Sequence, residues 1–136
     1  MPAEHKFNIK IYHADTDCYN VMWHGAYLKY LETGRIELSE KLGIKFRELD
    51  EMDILMPVVD LNLRYKHSAR LFDELEVKTT IKELKKTSVV FEYVIREINK
   101  DVTILTGTTT LVTTNREGKL FRVMPEYLYD KYVKAL

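Results

Sequence analysis

Five stretches of the chain have the hydrophobic pattern of β-strands. In the first, Phe7, Ile9 and Ile11 alternate with polar residues, and the same two-residue period returns over residues 59–66, 75–82 and 89–96. The fifth, Val102 to Thr114, is rich in threonine and β-branched residues and carries no charge. Because a strand without a charged face usually has both faces covered, we expect a partner subunit over part of this sheet.

Between the first two strands the apolar period changes to that of a helix over His24 to Leu42, and Gly43 supplies a C-terminal stop. The apolar face consists of residues three or four positions apart: Tyr27, Leu31, Gly34, Leu38 and Leu42. Glycine inside a helix costs about 1 kcal/mol relative to alanine. We therefore expect the helix backbone to approach its packing partner closely at Gly34.

A second, short helix is predicted after Pro125, which takes the first helical position. Short polar connections at 85–87 and 99–100 predict antiparallel hairpins. One amphipathic helix can bury its apolar face on five strands only if the sheet curls around it. The predicted fold is α+β, a single domain over residues 1–136 in which a curved antiparallel sheet of about five strands wraps around one long helix. This is the hotdog architecture.

Composition narrows the class of protein. The 136 residues are 46% hydrophobic, and 21 basic residues balance 21 acidic ones, which argues against a nucleic-acid partner. The N-terminus lacks an apolar segment and no apolar run is long enough to cross a membrane. The single cysteine, Cys18, excludes an intramolecular disulfide and suits a reducing compartment. We expect a cytoplasmic protein that does not insert into membranes.

Candidate chemistry concentrates between the first strand and the long helix, where Asp15 and Asp17 precede His24 and Gly25. The first amides of a helix lack an intrahelical acceptor and lie at the positive end of its dipole. A carbonyl oxygen placed against His24 and Gly25 would therefore be polarised, and glycine leaves room for a ligand beside the backbone. A nearby carboxylate could attack that carbonyl or activate water.

The same segment resembles the 4-hydroxybenzoyl-CoA thioesterase-like family of hotdog acyl-CoA thioesterases. The resemblance rests on a D-x-D motif at Asp15 and Asp17, V-x-x-H at 21–24 and E-x-x-R-x-E at 32–37. Weaker matches extend it over the whole chain: Pro57–Val59, Tyr65 ahead of Arg70 and Asp73, and Gly118 and Lys119 followed by Arg122 and Pro125. It implies hydrolysis of an acyl-CoA to a carboxylic acid and CoA, with Asp17 as nucleophile or general base.

The resemblance also implies roles for other positions. His24 acts through its ring or its backbone N–H, and the oxyanion and substrate contacts come from His24, Gly25 and Tyr27. The CoA phosphates meet the turn between the third and fourth strands, at Lys85, Lys86 and Ser88, with Arg64, Arg70 and Arg122 as further candidates. No cofactor is expected, since CoA is part of the substrate. The sites lie at the interface of a homodimer, and dimers often pair to homotetramers.

Several alternatives remain open at this point. The substrate could be an acyl-acyl-carrier protein, or the domain could bind acyl groups without catalysis. Asp17 could be an ordinary turn residue, Asp15 could shape the loop, and Cys18 could be a nucleophile, although no His and carboxamide set marks it. Glu32 and Arg35 most simply form a surface ion pair. The four histidines lack metal-site spacing, so no metal is expected: His5, His13, His24 and His67.

One departure from the family pattern follows Asp17. Close relatives usually carry a small residue and a glycine there, whereas this chain has Cys18, Tyr19 and Asn20. Asparagine can adopt the left-handed conformation that the glycine would supply. Tyr19 is bulkier and is expected to narrow the acyl pocket or form part of its wall.

Overall fold

A computed structural model describes residues 2–136. Its strands are β1 (Glu4–Lys10), β2 (Val58–Tyr65), β3 (Glu74–Leu84), β4 (Ser88–Glu97) and β5 (Val102–Val112). Its helices are α1 (Ala26–Lys41), α2 (Phe46–Glu51) and α3 (Glu126–Val133). The five strands, the long helix and the C-terminal helix confirm the predicted elements. Two elements were not predicted: α2 and one 3₁₀ turn at His13–Asp15.

The five strands form one sheet in the order β1-β3-β4-β5-β2, and every neighbouring pair is antiparallel. The predicted hairpins between β3 and β4 and between β4 and β5 are confirmed. One row of directly opposed residues crosses all five strands on a single face: Phe7, Val77, Ile95, Leu105 and Tyr65. β1 and β2 are therefore the two edges, and Tyr65 stands at the β2 end of this row.

Helix α1 packs mainly on β3 and β1. Its apolar face is buried at Tyr27, Leu31 and Leu38. A Cβ added at Gly34 would overlap the hydroxyl of Thr79 on β3, which confirms the predicted close approach. The helix is shorter at its start than predicted, since it begins at Ala26 rather than His24.

The end of α1 is defined by a glycine and by contact with the C-terminal helix α3. Gly43 has φ +88°, so it provides the predicted stop after α1. Pro125 is the N-cap of α3 rather than its first residue. Leu128 and Tyr132 of α3 are buried, and the Tyr132 hydroxyl lies 2.9 Å from the Ser39 hydroxyl of α1. Helix α3 thus caps the C-terminal part of α1.

The edge strand β2 leaves apolar side chains exposed. Val58, Val59, Leu61 and Tyr65 are between 41% and 59% exposed, although a half-covered sheet face would normally bury such residues. A bulge between Val58 and Asp60 interrupts the pairing of β2 with β5. The single chain therefore has an open edge and an uncovered apolar flank. None of the helices within residues 2–136 is long and apolar enough to cross a membrane.

Candidate active site

The first aspartate of the motif is buried and joins the loop to α1. Asp15 Oδ1 accepts a hydrogen bond from the Tyr30 hydroxyl at 3.0 Å, and its Oδ2 accepts one from the Tyr12 N–H at 3.3 Å. Burial, together with the hydrogen bond to Asp15, raises the pKa of Tyr30 to about 12. The hydroxyl of Tyr30 is therefore a neutral donor, and Asp15 has the loop-shaping contacts expected of it.

The second aspartate is exposed at the mouth of a tight loop. Thr16 pairs with Met22, and the Asp17 N–H donates to the Val21 carbonyl at 2.9 Å. Asp17 Oδ1 accepts a hydrogen bond from the Tyr19 N–H at 2.8 Å. Asn20 closes the loop with φ 61°, which confirms the predicted left-handed conformation. One carboxylate oxygen of Asp17 is thus fixed by the backbone, while Oδ2 has no hydrogen-bond partner within residues 2–136.

The start of α1 presents backbone amides without acceptors. Gly25 is the N-cap, the Ala26 N–H donates to the Trp23 carbonyl, and Leu28 donates to Gly25. Within the described chain, the N–H groups of His24, Gly25 and Tyr27 donate to no protein acceptor. The space beside the Gly25 Cα is different from the prediction, because the Trp23 indole occupies it and would overlap a Cβ there. The side of Gly25 that was predicted to admit a ligand is therefore filled by Trp23.

A cavity of about 130 Å³ lies beside His24 and Tyr27, and Gly25 does not line it. Its lining residues are Met22, His24, Tyr27, Tyr65, Lys66, His67 and Ser68. The Tyr65 hydroxyl donates to the His24 carbonyl oxygen at 3.0 Å, and the two rings meet edge to face with centroids 4.9 Å apart. The buried Tyr27 accepts a hydrogen bond from the Ala69 N–H at 3.4 Å. Burial raises the pKa of both tyrosines, so both hydroxyls are neutral near pH 7.

Sequence reasoning placed His24 and Tyr27 here but missed the β2 end and the residues after it. Tyr65 entered only as one piece of the family pattern and as an apolar position at the end of an alternating strand. His67 entered only among the histidines that lack metal-site spacing, and Ser68 was not singled out. Asp17 does not line this cavity.

A second, largely apolar groove of about 250 Å³ runs between α1 and β2. Leu28, Leu31, Val58 and Leu61 line it together with Lys29, Glu32, Arg35 and Thr109. The ion pair predicted between Glu32 and Arg35 is absent from the described residues. Arg35 lies instead near the Tyr93 and Tyr132 hydroxyls, where its charge acts to lower pKa values that burial raises.

The residues predicted to meet CoA lie in and after the β3–β4 turn. Lys85 and Lys86 are exposed, with Lys85 Nζ 3.8 Å from Glu83. Ser88 is the first residue of β4 and is buried. Arg64, Arg70 and Arg122 are exposed at other places, and so is Cys18. Within residues 2–136 no three His, Cys, Asp or Glu side chains are grouped as metal ligands would be.

The five-stranded antiparallel sheet with α1 packed on it is the hotdog fold. The candidate carboxylate lies in the loop before α1, and the amides without acceptors in the described chain lie at the start of that helix. The profile of the thioesterase superfamily matches residues 19–104, well over half of the chain, and the chain belongs to this family. The matched part begins two residues after Asp17. It therefore covers α1 and strands β2 to β4, but not β1, most of β5 or the candidate carboxylate.

Known proteins resemble the chain over most of its length. The acyl-CoA thioesterase YbgC of Haemophilus influenzae is 29% identical over 130 residues, 95% of this chain and 90% of its own. The Synechocystis protein sll0410 is 32% identical over 120 residues, 88% and 72% of the two chains. The DHNA-CoA thioesterase of Staphylococcus aureus superposes with a TM-score of 0.87 at 28% identity, covering 96% of this chain and 89% of the other. The chain is accordingly a hydrolase that acts on thioester bonds.

Proposed function

We propose that this protein hydrolyses an acyl-CoA to a carboxylic acid and free CoA, with Asp17 as the reacting carboxylate. The amides of His24 and Gly25 act as the oxyanion donors. The observation that carries this proposal is their arrangement on one short segment. An exposed carboxylate is followed by amides at the start of a helix, and neither its Oδ2 nor those amides have a hydrogen-bond partner in the described part of the chain. The similarity to acyl-CoA thioesterases supports it.

The chemistry needs two things that this segment offers. As the thioester carbonyl becomes tetrahedral, negative charge develops on its oxygen, and amides at the positive end of a helix stabilise that charge. Asp17 Oδ1 is held by the Tyr19 amide, so Oδ2 keeps its lone pairs for the reaction. No metal or redox cofactor takes part in this scheme.

Asp17 can act in two ways. As a general base it takes a proton from the water that attacks the thioester carbon, and it returns the proton to the departing CoA thiolate. As a nucleophile its oxygen attacks the carbon, CoA leaves, and water hydrolyses the mixed anhydride. A single turnover in heavy-oxygen water separates the routes. The nucleophilic route leaves label in the Asp17 carboxylate of the recovered protein when water attacks the Asp17 carbonyl carbon of the anhydride, whereas the general-base route labels only the carboxylic acid product. Capture of an acylated protein by rapid quench identifies the nucleophilic route when water attacks the acyl carbonyl instead and labels only the product.

We propose that the active form is at least a dimer. β2 is an open edge with apolar residues on its helix-facing side, and such an edge is stabilised by pairing with another chain. The groove between α1 and β2 opens on the same flank. A partner there would close the groove around an acyl group, while the exposed lysines Lys85 and Lys86 could bind the CoA phosphates.

Hydrolysis of a panel of short, long and aromatic acyl-CoAs, followed through release of the CoA thiol, tests the proposal. We expect wild-type turnover on at least one member and a loss of at least about 10³-fold in Asp17→Asn, as for other catalytic carboxylates. Asp130→Asn removes an exposed aspartate on α3 and should retain full activity. A wild-type rate in Asp17→Asn would contradict the role of Asp17. Faster hydrolysis of an acyl-acyl-carrier protein than of any acyl-CoA would show that the substrate is bound to acyl carrier protein rather than to CoA.

A further inference from the structure

The peptide unit between His24 and Gly25 is held by a side chain that is distant in sequence. This peptide lies in the turn before α1, so the helical ladder does not hold it: Leu28 donates to the Gly25 carbonyl and not to that of His24. The partner of the His24 carbonyl oxygen is the hydroxyl of Tyr65, at 3.0 Å. Tyr65 is 41 residues away in sequence and is the last residue of β2.

The His24 carbonyl and the Gly25 N–H are two ends of one planar group. In a trans peptide the C=O and N–H bonds point in opposite directions, and none of the described peptide bonds is cis. A hydrogen bond that fixes the carbonyl therefore also fixes the direction of the N–H. That N–H has no acceptor in the described chain and is one of the two proposed oxyanion donors.

We propose that Tyr65 is a positioning residue for the oxyanion site: its hydroxyl orients and polarises the His24–Gly25 peptide so that the Gly25 N–H meets the thioester oxygen. This inference rests on the proposed function above. Donation to a carbonyl withdraws electron density from its peptide and strengthens the N–H as a donor. Burial raises the pKa of Tyr65, so the hydroxyl stays a donor at neutral pH.

Packing holds the Tyr65 ring for this task. It meets the His24 ring edge to face at 4.9 Å and the Tyr27 ring at 5.5 Å. The backbone of Tyr65 pairs with Leu105 of β5 at the end of the row that crosses the sheet. Contacts with the sheet, and not with the loop alone, therefore fix the orientation of the amide at the start of α1.

The test is Tyr65→Phe, which keeps the ring and removes the hydroxyl. Loss of an oxyanion donor costs about 10² to 10³ in kcat. Because Tyr65→Phe leaves the donor present but less well aligned, we expect kcat to fall by about 10-fold with KM nearly unchanged. Tyr127→Phe is a matched control, since Tyr127 is comparably exposed and also donates to a backbone carbonyl, that of Gly43. It should keep wild-type kcat.

A spectroscopic measurement separates positioning from folding. In the hydrolysis-inert Asp17→Asn protein, isotope-edited infrared spectra of the bound acyl-CoA should show its carbonyl stretch lowered by the oxyanion donors. Adding Tyr65→Phe should reduce that lowering while the dissociation constant changes less than about threefold. If Tyr65→Phe does not fold, Tyr65→Met, which fills the space without a hydroxyl, takes its place.

The outcomes distinguish this inference from the proposed function. An inactive wild type, or an active Asp17→Asn, overturns the proposed function and this inference with it. An active wild type and an inactive Asp17→Asn, combined with wild-type kcat and carbonyl stretch in Tyr65→Phe, overturn the role of Tyr65 alone. A fall in kcat together with a weaker carbonyl shift supports it.

Discussion

Asp15 and Asp17 are separated by one residue and have opposite surroundings. The side chain of Asp15 is 8% exposed and carries two hydrogen bonds that tie the loop to α1 and to its own start. Asp17 is exposed, and one of its oxygens has no hydrogen-bond partner among residues 2–136. A buried carboxylate with its acceptors satisfied contributes to stability, whereas an exposed one with a free oxygen is available for chemistry.

We therefore predict that alanine at the two positions has separable effects. Asp15→Ala leaves the Tyr30 hydroxyl and the Tyr12 N–H without their acceptor and should lower the free energy of unfolding by about 1–3 kcal/mol. Asp15→Asn, which retains an acceptor oxygen, should lose less. Asp17→Ala should change the free energy of unfolding by less than about 0.5 kcal/mol and yet abolish turnover. Urea denaturation followed by circular dichroism measures both, and equal destabilisation by the two alanines would refute the separation.

Residue-level prediction from sequence succeeded where the determinants are local. Asn20 adopts the left-handed conformation because its own side chain and the tight loop allow it, and Gly43 stops α1 for the same kind of reason. Contacts between distant parts of the chain were not accessible. The Trp23 ring against Gly25 and the hydroxyl of Tyr65 on His24 depend on how the loop and β2 meet, which periodicity does not encode.

At the scale of the elements, helix α1 and strand β3 approach each other closely at Gly34. The overlap of an added Cβ with Thr79 Oγ1 explains why a residue that weakens a helix lies in the middle of its apolar face. Thr79 Oγ1 is buried and has no hydrogen-bond partner among residues 2–136. The hydroxyl thus occupies the contact without contributing a hydrogen bond there.

Gly34→Ala should destabilise the protein by about 1–3 kcal/mol, because the overlap outweighs the gain in helix propensity. Thr79→Ala alone should cost little, since it removes an unsatisfied hydroxyl. The double variant should recover most of the loss and benefit from the alanine in α1. Thermal and urea unfolding of the four proteins gives the coupling energy. A Gly34→Ala protein more stable than wild type would show that the two elements can separate at no cost.

Helix α3 is attached through a phenol whose ionisation should be visible at high pH. Burial raises the pKa of Tyr132 to about 12 from 10.0, against the opposing effects of Ser39 and Arg35. Below pH 10 the phenol is neutral in the folded and unfolded states, so it adds no pH dependence. Between pH 10 and 12 the Tyr132 phenol ionises in the unfolded chain before it does so in the folded protein, and this group alone should lower the free energy of unfolding by about 3 kcal/mol.

Tyr132→Phe should remove that part of the alkaline loss. At pH 7 it should cost about 1 kcal/mol for the missing hydrogen bond, since Ser39 still donates to the Arg35 carbonyl at 2.8 Å. Free energies of unfolding at several pH values between 8 and 12 give the slope for each protein. Tyr127→Phe, on the exposed side of the same helix, should follow the wild type. Identical slopes in wild type and Tyr132→Phe would contradict the assignment.

The elements themselves were predictable wherever the pattern was long. The alternation in β1, β3 and β4 and the helical period of α1 extend over enough residues to define each element. Helix α2 has six residues and one buried side chain, Leu49, so it has no period to detect. In β2 the alternation predicted the strand correctly but not its exposure, because burial of an edge strand depends on what lies beyond the edge.

For the whole molecule, the exposed apolar flank of β2 is the surface on which the proposed dimer depends. We predict that Leu61→Glu, which places a charge on the helix-facing side of β2, lowers the sedimentation mass to that of the monomer and reduces hydrolysis with it. Asn62→Glu places the same charge on the opposite face of the same strand. Comparison of the two variants therefore distinguishes an effect on the apolar flank from a general effect of a charge on β2. A charge buried without a partner costs several kcal/mol, enough to dissociate an interface of ordinary strength. Circular dichroism checks that both variants remain folded. A Leu61→Glu protein that keeps the wild-type mass would place the contact between copies elsewhere, and the groove beside α1 would then bind its acyl group within one chain.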